Sequence, residues 1–238
     1  MINIYYSYIE DTLISTNFEF LFNLLDKDQK QKVHKSKRME NKFQILLSNL
    51  LNKYVLMNQY GLSISNINIM KELYGKPYIL NKYVNFNISH AAKIVIAAYS
   101  QYEEIGIDIE QINSIEFDAF RNVFLDYEFN EILKQENIES QLKQFYRFWT
   151  LKECYLKYLG IGLYRDLTSF GFYKTGLGYI KLEDKIYKDN SNKLKFISYE
   201  IDDYISSICC AKDEKVSRPI KIGVDEIIKF YKEMDYEN

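Results

Sequence analysis

The sequence predicts an α+β fold made of two units in tandem. Three observations carry this. A long apolar-periodic segment with helical spacing occurs in each half of the chain. A glycine stops each one. Several short runs of antiparallel-strand character surround both, as expected where helices pack on one face of a sheet.

The elements follow in order. Ile2–Tyr8 alternates well enough to be a strand. The first long helix is marked by Phe43, Leu46, Leu47, Leu50, Leu51, Tyr54 and Val55, with Gly61 as its stop. Ile67–Lys71 reads as a strand, and Gly75-Lys76-Pro77 as a tight turn. Phe86-Asn87-Ile88-Ser89-His90 leads into an apolar strand over Lys93–Tyr99, with Ser89 and His90 expected on a loop. Gly106–Glu110 is another strand. In the second half, Phe120–Leu133 reads as helical. A second long helix spans about 140–159, with Phe145, Phe148, Trp149, Leu156 and Leu159 on one side and Gly160 as the stop. Strands follow at Ser169–Tyr173, Tyr179–Leu182, Leu194–Glu200 and Ile205–Ala211. A final helix turns Ile227, Ile228, Tyr231 and Met234 inward. The polar stretch Gln101–Glu104 divides the chain into an N-terminal half, 1–103, and a C-terminal half, 104–238.

Composition sets outer bounds. The 238 residues suffice for one large domain or two small ones, and 47% hydrophobic with 27% charged residues describes a folded globular chain. A formal net charge of -2 argues against a dedicated nucleic-acid binder. Lys27–Lys42 is nevertheless strongly basic, and that stretch could receive phosphates or be a solvated helix face. Cys154, Cys209 and Cys210 form neither a disulfide framework nor a zinc site, because neighbours on a strand point to opposite faces. They are expected to be small buried hydrophobes. Met1–Tyr6 lacks the regions of a signal peptide, and no apolar run reaches membrane-spanning length, so a cytoplasmic location is expected.

Two short segments carry the chemistry. In Gly106-Ile107-Asp108-Ile109-Glu110 the isoleucines can face a core while both carboxylates share the other face. Two carboxylates so spaced can bind one divalent cation or can be a solvated strand face. In Trp149-Thr150-Leu151-Lys152-Glu153-Cys154-Tyr155-Leu156-Lys157, Glu153 and Lys157 lie four apart on a helix, as part of a site or as a surface ion pair. Trp149 reads as a core anchor. Ser89-His90 lacks the elbow of a nucleophilic pair and suits a phosphate contact or a cap. Lys76 sits on a turn and can be a solvated lysine.

Taken in order, Tyr74-Gly75-Lys76-Pro77, Phe86–His90, Gly106–Glu110, and Trp149–Glu153 with Lys157 and Gly160-Ile161-Gly162-Leu163 resemble the 4′-phosphopantetheinyl transferase superfamily. The match is to its longer, Sfp-like type used with peptide and polyketide synthases, and it runs from about residue 26 to 211. The resemblance implies two similar halves related by a pseudo-twofold axis, each with a long helix packed on an antiparallel sheet, and coenzyme A in the cleft between them. It also implies roles. Asp108, Glu110 and Glu153 would hold Mg²⁺ on the coenzyme A pyrophosphate, and Lys157 would contact the same phosphates. Lys76, Ser89, His90 and Lys32 would hold the adenosine and its 3′-phosphate. Two departures stand out. No arginine lies near Phe43-Gln44, where Arg38 and Lys42 are the substitutes at hand, and Ala91 replaces a serine that often follows the histidine.

The implied reaction moves phosphopantetheine from coenzyme A to a serine of an apo carrier protein (peptidyl, acyl or aryl), releasing 3′,5′-ADP. Glu153, Glu128 and a water on the ion are the candidates for taking the serine proton. Phe117, Phe120 and Phe124 are candidates for an apolar carrier-docking surface or for one buried helix face. A monomer is expected, because the two halves would already form the cleft, with neither nucleic acid nor membrane as partner. Two rivals remain. A magnesium-dependent nuclease would use Asp108, Glu153 and a lysine, against the net charge. A non-catalytic coenzyme A or carrier-binding module would not need the three carboxylates that this chain retains.

Overall fold

A computed structural model of the chain describes residues 1–80, 83–175 and 180–236. The first half runs β1 (Asn3–Tyr8), α1 (Asp11–Thr16), α2 (Phe18–Asn23), α3 (Lys27–Lys35), α4 (Met39–Asn58), β2 (Ile69–Lys71), β3 (Pro77–Ile79), β4 (Asn85–Ala91) and β5 (Ile94–Ser100). The second half runs β6 (Ile105–Gln111), α5 (Asp126–Leu133), α6 (Ile138–Leu159), β7 (Phe170–Lys174), β8 (Ile180–Asp184), α7 (Asn190–Lys193), β9 (Leu194–Ile201), β10 (Tyr204–Ala211), β11 (Ile220–Lys221) and α8 (Val224–Tyr236). Each half is a long helix on an antiparallel sheet, β11-β1-β5-β4 in the first and β6-β10-β9 in the second. Only the β1–β11 pair is parallel among the named pairings of the described residues.

Strand alternation sorts the core into layers. In β5, Val95, Ala97 and Tyr99 pack with Phe43, Leu46, Leu47 and Leu50 of α4. Ile94, Ile96 and Ala98, on the other face, meet Ile105, Ile107 and Ile109 of β6 with Ile208 and Cys210 of β10. Ile205 and Cys209, on the opposite face of β10, pack with Phe148, Leu151, Cys154 and Tyr155 of α6. The layers therefore run α4, first sheet, second sheet, α6. All three cysteines are buried and unbridged, as their spacing suggested.

The long helices end where glycine permits. At Gly160 the backbone turns left-handed (φ 69°), Ile161 N–H bonds back to Leu156, and Gly160 N–H to Lys157, which closes the last turn of α6. The side chain of Asn137 caps the other end by accepting from Ser140 N–H. Gly61 (φ 66°) plays the terminating part after α4.

Several expectations need correction. Ser89 and His90 lie inside β4, not on a loop, because β4 pairs with β5 along its whole length. Phe120–Leu133 is not one helix. A 3-10 segment over Phe117–Val123 gives way to extended residues at Phe124 and Leu125 before α5 starts at Asp126. Glu128 stabilises that restart by accepting Leu125 N–H at 2.9 Å. Of the strand expected at Tyr179–Leu182, Tyr179 lies outside the described residues and β8 begins at Ile180. The C-terminal segment does not stay with the second half: β11 joins β1, and Ile222, Val224, Ile227, Ile228 and Tyr231 enter the core under α4.

Candidate active site

The site forms where α6 lies directly on β6. A Cβ on Gly106 would stand 2.0 Å from the Cys154 carbonyl oxygen and 2.4 Å from Tyr158 N, so only glycine permits this approach. Asp108 and Glu110 follow at the same strand parity and point the same way. On α6, Trp149, Glu153 and Lys157 recur every four residues and look back at them. Ile88, Ser89 and His90 of β4 supply the opposite wall. Together these eight residues line a cleft of about 320 Å³.

One hydrogen-bonded cluster sits at its base. Lys157 Nζ donates to Asp108 Oδ1 at 2.6 Å and to Ser89 Oγ at 2.8 Å. The Ser89 hydroxyl donates to the same Asp108 Oδ1 at 2.8 Å. Asp108 is 3% exposed, and its other oxygen, Oδ2, is buried with no protein partner. Burial and the nearby Asp108 charge push the Glu110 carboxyl up to about 7, held back by the Trp149 indole and Lys157. Burial and Asp108 also raise Glu153. Burial, then the Lys157 charge, lowers His90. Three carboxylates thus share a poorly solvated cleft with one ammonium.

This arrangement fits a hard divalent cation. The donors are carboxylate oxygens, their mutual repulsion would be relieved by positive charge, and Asp108 Oδ2 is buried without a partner. Among the described residues, no three His, Cys, Asp or Glu side chains already have the spacing of a closed metal shell. At present the cation on Asp108 is Lys157 itself.

A second cavity of about 340 Å³ adjoins the cleft, sharing Ile88 and His90 with it. Lys32, Lys71, Ser48, Asn49, Gly75 and Pro77 are among its lining residues. Burial, then the neighbouring Lys71 charge, lowers the Lys32 ammonium. Two crowded lysines in a half-closed pocket are chemistry for an anion.

Other expected residues go elsewhere. Lys76 lines neither cavity: its ammonium donates to Glu104 Oε2 at 2.6 Å and to the Tyr158 carbonyl at 3.1 Å, tying the β2–β3 turn to the end of α6. Glu128 is fully buried away from the cleft. It accepts from Lys152 Nζ at 2.8 Å, Phe172 N at 2.8 Å and Leu125 N, so it is sealed in the core with no access to a serine proton. Phe124 is 2% exposed, and Phe117 and Phe120 pack on Phe145, which makes this trio mainly an aromatic core. Gln44, beside the missing arginine, spends its amide on the Ala92 carbonyl. Trp149 is more than the expected anchor, since it packs edge-on against Phe120 and also touches Glu110. Its recurrence four residues before Glu153 was a signal for the latter role. Lys71 carried no sequence signal, because its approach to Lys32 is a tertiary one between β2 and α3.

The model of the 4′-phosphopantetheinyl transferase superfamily matches residues 104–209, and that of the 4′-phosphopantetheinyl transferase N-terminal region matches residues 13–102. Over 227 residues the chain is 28% identical to 4′-phosphopantetheinyl transferase Sfp of Bacillus subtilis (strain 168), covering 94% of this chain and 99% of that one. It is 28% identical over 217 residues to 4′-phosphopantetheinyl transferase gsp of Aneurinibacillus migulanus, covering 90% and 88%. Both family matches place the chain in the 4′-phosphopantetheinyl transferase superfamily. Within it, the near-complete alignment with Sfp and gsp makes it a member of the Sfp-like type.

Proposed function

We infer that this chain transfers 4′-phosphopantetheine from coenzyme A to a serine hydroxyl of an apo carrier protein and releases 3′,5′-ADP. The observation that carries the site assignment is the convergence of Asp108, Glu110, Glu153 and Lys157 in one cleft, with the Lys32–Lys71 pocket beside it.

The pyrophosphate would lie in the cleft and the 3′-phosphate end of coenzyme A in the adjoining pocket, drawn by Lys32, Lys71 and His90. Asp108, Glu110 and Glu153 are the oxygen donors for magnesium. When bound there, the ion would neutralise charge on the pyrophosphate oxygens and on the leaving 3′,5′-ADP. Ser89 holds Asp108 and Lys157 in register. Lys157 would then offer its N–H groups to the phosphate oxygens as charge develops on them. Glu153 takes the proton from the serine hydroxyl at its carboxylate oxygen. Glu128 has no part in this. Lys76 is assigned to holding the β2–β3 turn. Peptidyl, acyl and aryl carrier domains are the expected acceptors. No helix among the described residues is long and apolar enough to cross a membrane, and a cytoplasmic monomer belongs to the same reading.

The test is to incubate the protein with coenzyme A, magnesium and an apo peptidyl carrier domain, then weigh the carrier intact. One added phosphopantetheine group is expected. It should vanish with chelator and fall by about 100-fold or more in Asp108→Ala. Normal transfer and unchanged magnesium dependence in that variant would overturn the metal assignment. Neither transfer nor coenzyme A binding in the wild type would overturn the function.

A further inference from the structure

Asp108 stands on a strand whose second edge has no ladder. β6 pairs with β10 on one side. On the other side it faces β4, the edge strand of the first sheet, and among the described residues no backbone pairing joins the two. A buried strand edge with unpaired N–H groups is costly. The join is made by a side chain instead. Asn87 Oδ1 accepts the Ile107 N–H at 2.9 Å, with Asn87 3% exposed and Ile107 fully buried.

The next side chain of β4 on that face is Ser89, which bonds Asp108 Oδ1. Two alternating residues of the first half therefore grip successive residues of the second: Asn87 takes the N–H of the Gly106–Ile107 peptide, one residue before Asp108, and Ser89 takes the Asp108 carboxylate. From the other side, Ser206 Oγ donates to the Asp108 carbonyl at 2.7 Å. The backbone around Asp108 is thus held from both sheets, while its Oδ2 is left buried and without a protein partner. Ligand oxygens must be placed to within a fraction of an ångström to share an ion, so what fixes the backbone here also fixes the binding constant.

We propose that Asn87 is a positioning residue for the metal site: by accepting Ile107 N–H across the junction of the halves, it sets where Asp108 presents its carboxylate. This rests on the functional reading above, in which Asp108 is a ligand. Asn87 touches neither cleft nor substrate, and it acts through the strand alone.

The test uses Asn87→Leu, which is similar in size and lacks the acceptor. Magnesium is titrated into the intact protein saturated with coenzyme A and followed by calorimetry. In parallel, the magnesium half-saturation of carrier modification and KM for coenzyme A at saturating magnesium are measured. Metal affinity should weaken about tenfold, the usual size of a loss behind a ligand, with KM for coenzyme A unchanged. Asn87→Asp, which keeps an oxygen acceptor of the same shape, should restore the wild-type midpoint or better. A lower melting temperature with an unchanged metal midpoint would overturn the proposal, as would an Asn87→Asp variant no better than Asn87→Leu. If Asn87→Leu does not fold, Asn87→Ala replaces it; failure of both assigns Asn87 to the general junction and overturns the specific role. A wild type without magnesium-dependent transfer would remove the underlying reading as well, whereas a normal wild type with an insensitive Asn87→Leu removes this inference alone.

Discussion

Lys152 and Glu153 adjoin on α6 and meet opposite fates. Helix geometry turns Glu153 into the cleft and Lys152 into the core, where its ammonium pairs with Glu128 and also reaches the Leu167 and Phe170 carbonyls, each at 2.9 Å. Lys152→Met would leave the Glu128 charge buried without its cation. We expect a loss of about 3–5 kcal/mol in urea unfolding; a change under about 1 kcal/mol would mean the pair is neutral in the fold. Asp184 provides the pH-dependent case. Burial alone would raise it, but Arg165, Tyr155 and the N–H groups of Tyr187 and Ile186 together hold it down to about 2 from 3.8. The folded state therefore favours the charged form. That stability is fully present above 3.8 and is lost as pH falls from there towards 2. Asp184→Asn should flatten this part of the urea midpoint against pH, and an identical acid slope in the variant would contradict the assignment. Spacing within single elements paired Asp108 with Glu110 and Glu153 with Lys157, and it was the resemblance to the superfamily that implied one joint site for the two pairs. Glu128 looked equivalent from sequence, since nothing local tells a carboxylate that caps a helix under the core from one facing a substrate.

Between elements, the decisive contact is Gly106 against the α6 backbone at Cys154 and Tyr158. Gly106→Ala cannot be absorbed by a side-chain rotation, because the obstructing atoms are backbone. The helix must move off β6, taking Glu153 and Lys157 away from Asp108. A loss of at least about 1–3 kcal/mol is expected, with transfer activity falling beyond what the lower thermal midpoint explains. Wild-type activity in a destabilised Gly106→Ala would show that the site tolerates the shift. Long, glycine-stopped helices and apolar strands were legible because periodicity is a local property. The loop expected at Ser89-His90 was wrong for an equally local reason: serine and histidine in a polar-ended run resemble a loop, and only pairing with β5 makes them strand. The break at Phe124-Leu125 was hidden by apolar residues that continue helical spacing through it.

At the scale of the molecule, two α+β halves were readable from composition and pattern, and the order of the motifs pointed to the superfamily that the comparisons then matched. The return of β11 and α8 to the first half was not readable, because an amphipathic C-terminal helix does not state which core it covers. Nor was the junction of β4 with β6, which exists only in three dimensions. The central claim is that carboxylates from a strand and a helix act as one metal-binding, phosphoryl-transfer unit. The most direct test measures kcat/KM for magnesium-dependent carrier modification in Asp108→Asn, Glu153→Gln and the double variant. Each single change should cost about 100-fold or more, and the double variant should be little worse than the poorer single one, because groups that work as a unit are not additive. Losses that multiply in full, or a near-normal rate in either single variant, would contradict it.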